Sequence, residues 1–247
     1  YKVTYTDGVE GEEIFADQIT YNLMSGDPTP DFKGGTPTRA GYTFNGWSPE
    51  QSSTVTGTVT YEAQWTPIPQ YTVTYNLNGG TGTIPDPVTG YENTPVTVAS
   101  GDGLSRIGYT FAGWKDDQGI SYAGQFILTQ DVTLYAQWNP SENTQYKVEH
   151  YWQNVEDDEY TLHETETLSG TTGEKTAAEA NTYTGFTAKS FEQSTIAADG
   201  STVVKIYYDR NKYAIYYEIT GDNLTEKNKI EADGKKYYYI EENVKYG

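Results

Sequence analysis

No cysteine occurs among the 247 residues, and methionine and histidine are nearly missing, with one and two copies. The first absence removes disulfides, thiol nucleophiles and Cys-ligated zinc together. The second leaves imidazole chemistry with two candidates, His150 and His163, and no His-Glu-x-x-His pattern joins them. Positive charge is also short: 16 Lys+Arg stand against 35 Asp+Glu, a net charge of -19. Such a surface repels phosphate, so neither nucleic acid nor an anionic membrane is an expected partner. No run approaches the roughly 18 apolar residues of a membrane span, so direct membrane insertion is not expected either. Nothing at the start resembles a signal sequence, and a chain that opens on Tyr1 reads as a piece of something longer. Phosphate loops, Gly-x-Ser-x-Gly elbows and Asp-x-Asp-x-Asp-Gly calcium loops are missing as well. The expectation is a non-enzymatic chain with no catalytic residues, no metal and no cofactor.

Aromatic residues are abundant: 24 Tyr, 7 Phe and 5 Trp make up 15% of the chain. They recur in order. Tyr1-Lys-Val-Thr-Tyr5 returns as Tyr71-Thr-Val-Thr-Tyr75. Gly41-Tyr-Thr-Phe-Asn-Gly-Trp47 returns as Gly108-Tyr-Thr-Phe-Ala-Gly-Trp114, and Tyr61-Glu-Ala-Gln-Trp65 returns as Leu134-Tyr-Ala-Gln-Trp138. Three anchors in one order describe one fold used twice, over residues 1–69 and 70–140. A looser third unit, 141–211, opens on Tyr146-Lys-Val-Glu-His-Tyr-Trp152, carries Tyr183-Thr-Gly-Phe-Thr-Ala188 at its centre and closes on Val203-Val-Lys-Ile-Tyr-Tyr208. Residues 212–247 are strand-rich and read as a partial repeat or a C-terminal cap. Asp233-Gly234 within them is a type I′ hairpin signal.

Opening and closing segments alternate with period two, which makes them half-buried strands. Val3 and Tyr5, Val73 and Tyr75, and Val148 and His150 fall on inward positions; so do Val59, Tyr61, Ala63 and Trp65, and Val132, Leu134, Ala136 and Trp138. His150 stands where the other units have Tyr, as a core substitute. His163, opposite in parity to its flanking leucines, reads as solvated. Gly46 and Gly113, each before a Trp, mark a bulge or a close backbone approach. Helical pattern is confined to Glu174–Asn181, where Ala177, Ala178 and Ala180 favour a turn or two. Glu156-Asp-Asp-Glu159 and Asp116-Asp-Gln-Gly119 read as turns between strands. Short connectors at 67–70, 139–144 and 210–211, two of them bearing proline, predict restricted orientations between units and an elongated rod. Compact-domain scaling then gives a radius of gyration of roughly 28 Å, against about 18 Å for one globule of this length.

The two anchored units resemble the Listeria-Bacteroides repeat (internalin B-repeat type), on their Tyr-x-Val-x-Tyr opening, Gly-Tyr-x-Phe-x-Gly-Trp centre and Ala-x-Trp close. The third, 141–211, resembles the mucin-binding-protein (MucBP) repeat in its Tyr-x-Val opening and Gly-rich middle. The resemblance implies small ubiquitin-like β-grasp modules, an α+β but mostly β fold, strung in series on bacterial surface proteins. It also implies extracellular display, with attachment to the cell wall through regions outside this chain. The function implied is a stalk or spacer; the alternative is an adhesin binding host mucin, glycans or a host surface protein through 141–211. Candidate ligand-binding residues there are Trp152, Tyr151 and Tyr160. Tyr42, Phe44, Trp47, Trp65, Tyr109, Phe111, Trp114 and Trp138 are structural anchors. The acidity is spread as -6, -4, -8 and -1 over the four segments and reads as a solubilising surface on a chain expected to be monomeric.

Overall fold

The computed structural model describes residues 1–218, 229–232 and 235–246, so the Asp233-Gly234 turn lies outside the described residues. The first repeat contributes β1 (Val3–Thr6), β2 (Gln18–Thr20), β3 (Tyr42–Ser48) and β4 (Val59–Pro67). The second contributes β5 (Gln70–Asn76), β6 (Val88–Tyr91), β7 (Pro95–Thr97), β8 (Tyr109–Lys115), β9 (Ser121–Tyr122), β10 (Gln125–Ile127) and β11 (Val132–Pro140). The third has β12 (Thr144–Gln153), β13 (Tyr160–Gly170), β14 (Phe186–Ala188) and β15 (Val203–Arg210). The last segment has β16 (Lys212–Glu218), β17 (Lys229–Ala232) and β18 (Lys235–Lys245).

The strands pair in one recurring way. In the first repeat the order is β2-β1-β4-β3, in the second β6-β5-β11-β8-β9, and in the third β13-β12-β15-β14. Each time the opening and closing strands lie parallel at the centre: Tyr5 opposite Tyr61, Tyr75 opposite Leu134, His150 opposite Ile206. The flanking pairs β1–β2, β3–β4, β5–β6, β12–β13 and β14–β15 are antiparallel. Parallel neighbours cannot be joined by a tight turn, so a long excursion must leave and return between them. β7 and β10 form a two-stranded ribbon inside one such excursion, and β16-β18-β17 is a three-stranded antiparallel sheet.

The chain gathers into two compact units. One holds Tyr1–Asn76, Ile84–Ser100 and Trp114–Tyr135; the other holds Leu77–Thr83, Gly101–Gly113 and Ala136–Gly247. In the first unit, Val3, Tyr5 and Tyr61 of β1 and β4 are buried together with Val55, and Phe32 and Trp47 close over them. In the second, Tyr146, Val148, Val204, Ile206 and Tyr208 are buried against Ala178 and Ile196. One sheet face is thus covered by irregular chain rather than by a helix. Aromatic side chains make that thin cover sufficient, since each carries a large apolar area into a small core.

Among the described residues there is no helix, and therefore none long and apolar enough to cross a membrane. The architecture is all-β, which corrects the α+β expectation. The segment Glu174–Asn181 shows why. Its backbone donors are taken by groups distant in sequence: Thr176 N–H goes to Ser194 O at 2.8 Å, Ala177 N–H to Tyr146 Oη at 3.1 Å, Ala178 N–H to Gln193 Oε1 at 3.0 Å, and Asn181 N–H to Tyr208 Oη at 2.8 Å. Ala178 is buried against β12 and β15. A short alanine run supplies too little propensity to outweigh four such partners.

The period-two readings hold elsewhere. Val59, Tyr61, Ala63 and Trp65 alternate with exposed neighbours along β4, and Leu134 and Ala136 are fully buried in β11. The bulge expected at Gly46 is present: the β3–β4 register shifts between Phe44 and Trp47, and Gly46 has φ 101°. Gly113 has φ 106° at the matching place.

Candidate functional site

The repeat anchors sit at equivalent contacts in both anchored repeats. Trp47 meets Tyr5 edge-on at 4.7 Å, as Trp114 meets Tyr75 at 4.9 Å. Trp65 packs on Phe44 and Trp138 on Phe111, both at 5.6 Å. Trp65 Nε1 donates to Asp7 O at 2.7 Å and Trp138 Nε1 donates to Leu77 O at 3.0 Å, so each indole satisfies its polar handle inside its own repeat. Arg39 lies over the Tyr42 ring at 3.8 Å and Arg106 over Tyr109 at 4.3 Å. These contacts are repeated architecture; Trp114 is buried, and the other anchors are half-buried.

Asp7 carried no signal in the sequence. It is 7% exposed, and its two carboxylate oxygens accept the N–H groups of Val9 at 3.0 Å and Ile14 at 2.8 Å. Burial alone would raise its pKa. The backbone donors of Val9, Ile14 and Phe15, helped by Arg39, outweigh it and hold the carboxyl below its ordinary value. The group therefore pins the β1–β2 connection.

The third repeat separates its three candidate ligand residues. Trp152 belongs to the core side of the sheet, stacked on Phe186 at 4.4 Å and meeting Tyr183 edge-on at 5.1 Å. Tyr151 is on the opposite side, stacked on Tyr207 at 5.1 Å, and Tyr160 meets Tyr207 edge-on at the same distance. The pairing explains the grouping, since Tyr151 stands opposite Tyr207, and Gln153 opposite Tyr160. Tyr207, which sequence reading passed over, is thus the centre of the row. Its only signal was alternation with buried Ile206 and Tyr208. Carboxylates and amines fill the edges: Tyr151 Oη donates to Glu149 at 2.7 Å, Tyr160 Oη donates to Asp209, and Lys205 and Lys189 lie 5.4 Å from the Tyr151 and Tyr160 ring centres. Hydrogen bonding to Glu149 raises the Tyr151 pKa, and hydrogen bonding to Asp209 raises that of Tyr160.

His150 is fully buried, as a core substitute for Tyr should be. Its Nδ1 is 2.7 Å from Tyr208 Oη, while Nε2 has no hydrogen-bond partner and lies 3.8 Å from Glu166 Oε1. Tyr183 Oη donates to Glu164 at 2.6 Å; burial first, and that bond second, push the Tyr183 pKa up to about 12. His163 is exposed, as expected, yet lies flat on Trp152 with ring centres 3.3 Å apart. The hollow beside this stack, lined by Trp152, Asn154, Leu162, His163 and Arg210 among others, encloses about 140 Å³. That is below the roughly 300 Å³ at which small-molecule pockets begin.

The acidic tip between β12 and β13 is a turn, held by Asn154 N–H to Glu159 O at 2.8 Å and by Asp157 Oδ1, which accepts Glu159 N–H at 2.9 Å. Oxygens that a cation would use converge instead on Lys245 Nζ: Asp157 O at 2.7 Å, Asp158 Oδ1 at 3.0 Å and Asn154 O at 3.3 Å. Among the described residues no group of three or more His, Cys, Asp or Glu side chains is placed to hold a metal ion. Asp116 likewise closes its turn, with Oδ1 accepting the N–H groups of Gln118 at 3.0 Å and Ile120 at 2.8 Å.

A protein of Evansella cellulosilytica named "Putative membrane protein" is 27% identical over 163 residues, which cover 58% of this chain and 22% of that protein. The chain thus matches about a fifth of the length of this relative. A solved structure of Streptococcal High Identity Repeats in Tandem (SHIRT) domains 3-4, from a cell surface protein, aligns over 57% of this chain and 99% of its own at 16% identity. Its TM-score of 0.20 does not define a shared fold. The model of the Listeria-Bacteroides repeat domain matches residues 1–67 and again 71–137, more than half of the sequence, and the chain belongs to that family.

Proposed function

We propose that the chain is a run of non-enzymatic repeats serving as an extracellular spacer in a bacterial cell-surface protein, attached to the cell wall through other regions. The observation that carries this reading is the equivalence of the aromatic anchors. Trp47 and Trp114, and Trp65 and Trp138, meet the same partners at nearly the same distances in two tandem family copies. Residues that pack the repeat's own interior identically from copy to copy serve the module. The mixed sheets, with opening and closing strands parallel at the centre, support a β-grasp module that has lost its helix. The third repeat shares this central pair, which is compatible with a MucBP-like relative of the first two. Acidity spread over all three repeats suits a crowded surface on which modules must not aggregate.

Interchangeability tests the proposal. The chain is placed between a wall anchor and a reporter domain on a Gram-positive cell, and antibody access to the reporter is measured. A spacer predicts that access requires the chain and survives replacement of residues 141–211 by a second copy of 70–140. Loss of access on that replacement overturns it.

A second reading has one observation in its favour. Tyr151, Tyr207 and Tyr160 form a contiguous aromatic row on the sheet face opposite the core, with Tyr207 36% exposed. Such a row could stack on host mucin glycans, and repeated display would sum weak contacts through avidity. Binding that is abolished by Tyr151→Ala and Tyr207→Ala, with the fold intact, would favour the adhesin over the spacer.

A further inference from the structure

The same turn occurs three times in the chain. Arg39–Tyr42, Arg106–Tyr109 and Tyr183–Phe186 are each closed by the last residue's N–H on the first residue's carbonyl, at 3.1, 3.0 and 3.2 Å. The third residue is glycine in all of them, with φ of 77° at Gly41, 73° at Gly108 and 81° at Gly185. A type II turn requires that positive φ at its third position. The glycine carbonyl then accepts the N–H of a connector residue just beyond the same repeat's closing strand or at its end: Ile68, Ser141 and Asn211, each at 2.8 Å. A connector carbonyl in turn accepts an N–H from the module that follows. Pro69 takes Glu92 at 2.7 Å, Ser141 takes Thr172 at 2.9 Å, and Asn211 takes Tyr246 at 2.9 Å.

At the second and third connectors one residue both donates and accepts. At the first the task is split, because Pro69 has no N–H to give. Connector sequences share nothing beyond this, being Pro-Ile-Pro, Asn-Pro-Ser and Arg-Asn in turn. The common element is backbone hydrogen bonding around a glycine. The following module also occupies the space a side chain at that glycine would need. A Cβ at Gly41 would lie 2.6 Å from Tyr91 Oη, one at Gly108 would lie 2.6 Å from Ala198 O, and one at Gly185 would run into the Tyr246 ring.

We propose that this glycine turn is a docking surface whose partner is the following module of the same chain, at the end where that module's opening strand begins, and that the connectors are clamped joints rather than free tethers. On this reading the described residues of 212–246 belong to a fourth module seated on the third by the same relay. Side chains reinforce the joints in ways that differ from one to the next. Thr172 Oγ1 donates to Gly108 O at 2.8 Å, and Thr187 Oγ1 donates to Asn211 Oδ1 at 2.6 Å. Arg210 donates to Tyr246 O, and Lys245 anchors on the acidic tip of the third repeat. The inference goes beyond the spacer proposal and does not depend on it, since an adhesin could be jointed in the same way.

Amide hydrogen exchange at residue resolution on the whole chain tests it. Clamped joints predict that the N–H groups of Ser141, Thr172, Asn211 and Tyr246 exchange at least about 100-fold more slowly than in an unstructured peptide. Unprotected rates at these four, beside protected Val148 and Ile206, would overturn the proposal. Gly108→Ala should speed Ser141 and Thr172 about tenfold or more while leaving Ile68 and Glu92 unchanged, and Gly185→Ala should do the same to Asn211 and Tyr246. Gly119→Ala is the control, because Gly119 has φ 81° but open space around it. It carries the same backbone strain without touching a joint, and joint amides that respond equally to it would also sink the idea. Thr172→Val removes the reinforcing hydroxyl together with its 2.7 Å bond to Thr144 Oγ1, and should speed Ser141 and Thr172 severalfold, with Val148 and Ile206 still protected, even if the glycine variants do not fold.

Discussion

Removing one hydroxyl from the third repeat should unlatch it selectively. Tyr208 is 1% exposed; its Oη accepts Asn181 N–H at 2.8 Å and lies 2.7 Å from His150 Nδ1. Tyr208→Phe keeps the ring, which meets Tyr183 edge-on at 4.9 Å and His150 at 5.7 Å. It leaves the half-buried Asn181 amide without an acceptor and a buried imidazole nitrogen without its partner. Each orphaned group costs about 1–3 kcal/mol, and sharing one site makes a combined loss of about 2–4 kcal/mol the expectation. Converted at tenfold per 1.4 kcal/mol, amides of β12 and β15 that exchange through opening of the repeat should speed by about 30- to 700-fold. Val3, Tyr5, Val73 and Leu134 should keep their rates, because they belong to the first two repeats. Tyr207→Phe, on the exposed face one residue earlier, should change stability by about 0.5 kcal/mol or less. An equally small effect for Tyr208→Phe would refute the reasoning, since it would mean that neither polar group depends on the phenol.

Three further expectations concern single groups in the first and third repeats. The Asp7 carboxyl, held below its ordinary pKa in the fold, gives a contribution complete above the unfolded value of about 3.9 and lost as pH falls through the lowered folded value. Amide resonances of Val9 and Ile14 should therefore titrate with a midpoint below about 3.9, and a midpoint at or above it would contradict this. Tyr5, raised to about 12 by burial and then by Tyr61 and Asp31, and Tyr183, raised to about 12 by burial and then by Glu164, stabilise the fold fully below about pH 10. That contribution is lost as pH rises through about 12, and Tyr5→Phe or Tyr183→Phe should subtract one phenol from the late-ionising fraction in an ultraviolet titration. Gly46→Ala meets no neighbour but must adopt φ 101°, so it should cost about 1–2 kcal/mol through backbone strain alone, measured by denaturant unfolding of the first repeat.

Local pattern made much of this fold legible. Alternation placed Val3, Tyr5, Tyr61 and Leu134 inside, repetition identified the paired indoles, and Gly46 announced its bulge. His150 could be placed in the core because the other repeats have Tyr at its position. Pairing order was not legible, because nothing near Tyr5 or Tyr61 in sequence says that their strands lie side by side and parallel across some fifty residues of excursion. Glu174–Asn181 failed as a helix for the same reason: its partners, Ser194, Tyr146 and Tyr208, are remote. The register shift between His150 and Tyr151 leaves Leu162 opposite Tyr151 and His163 stacked on Trp152, a detail that simple parity cannot supply. Asp7 and Lys245 act through backbone groups brought in by the fold, and neither lies in a motif.

The most direct test of the spacer account is binding of the purified chain, displayed at high valency, to mucins, a glycan panel and host matrix proteins. The account predicts no specific binding by any repeat at any density. A specific interaction that disappears with residues 141–211, or with Tyr151 and Tyr207, would contradict it and make the third repeat an adhesin.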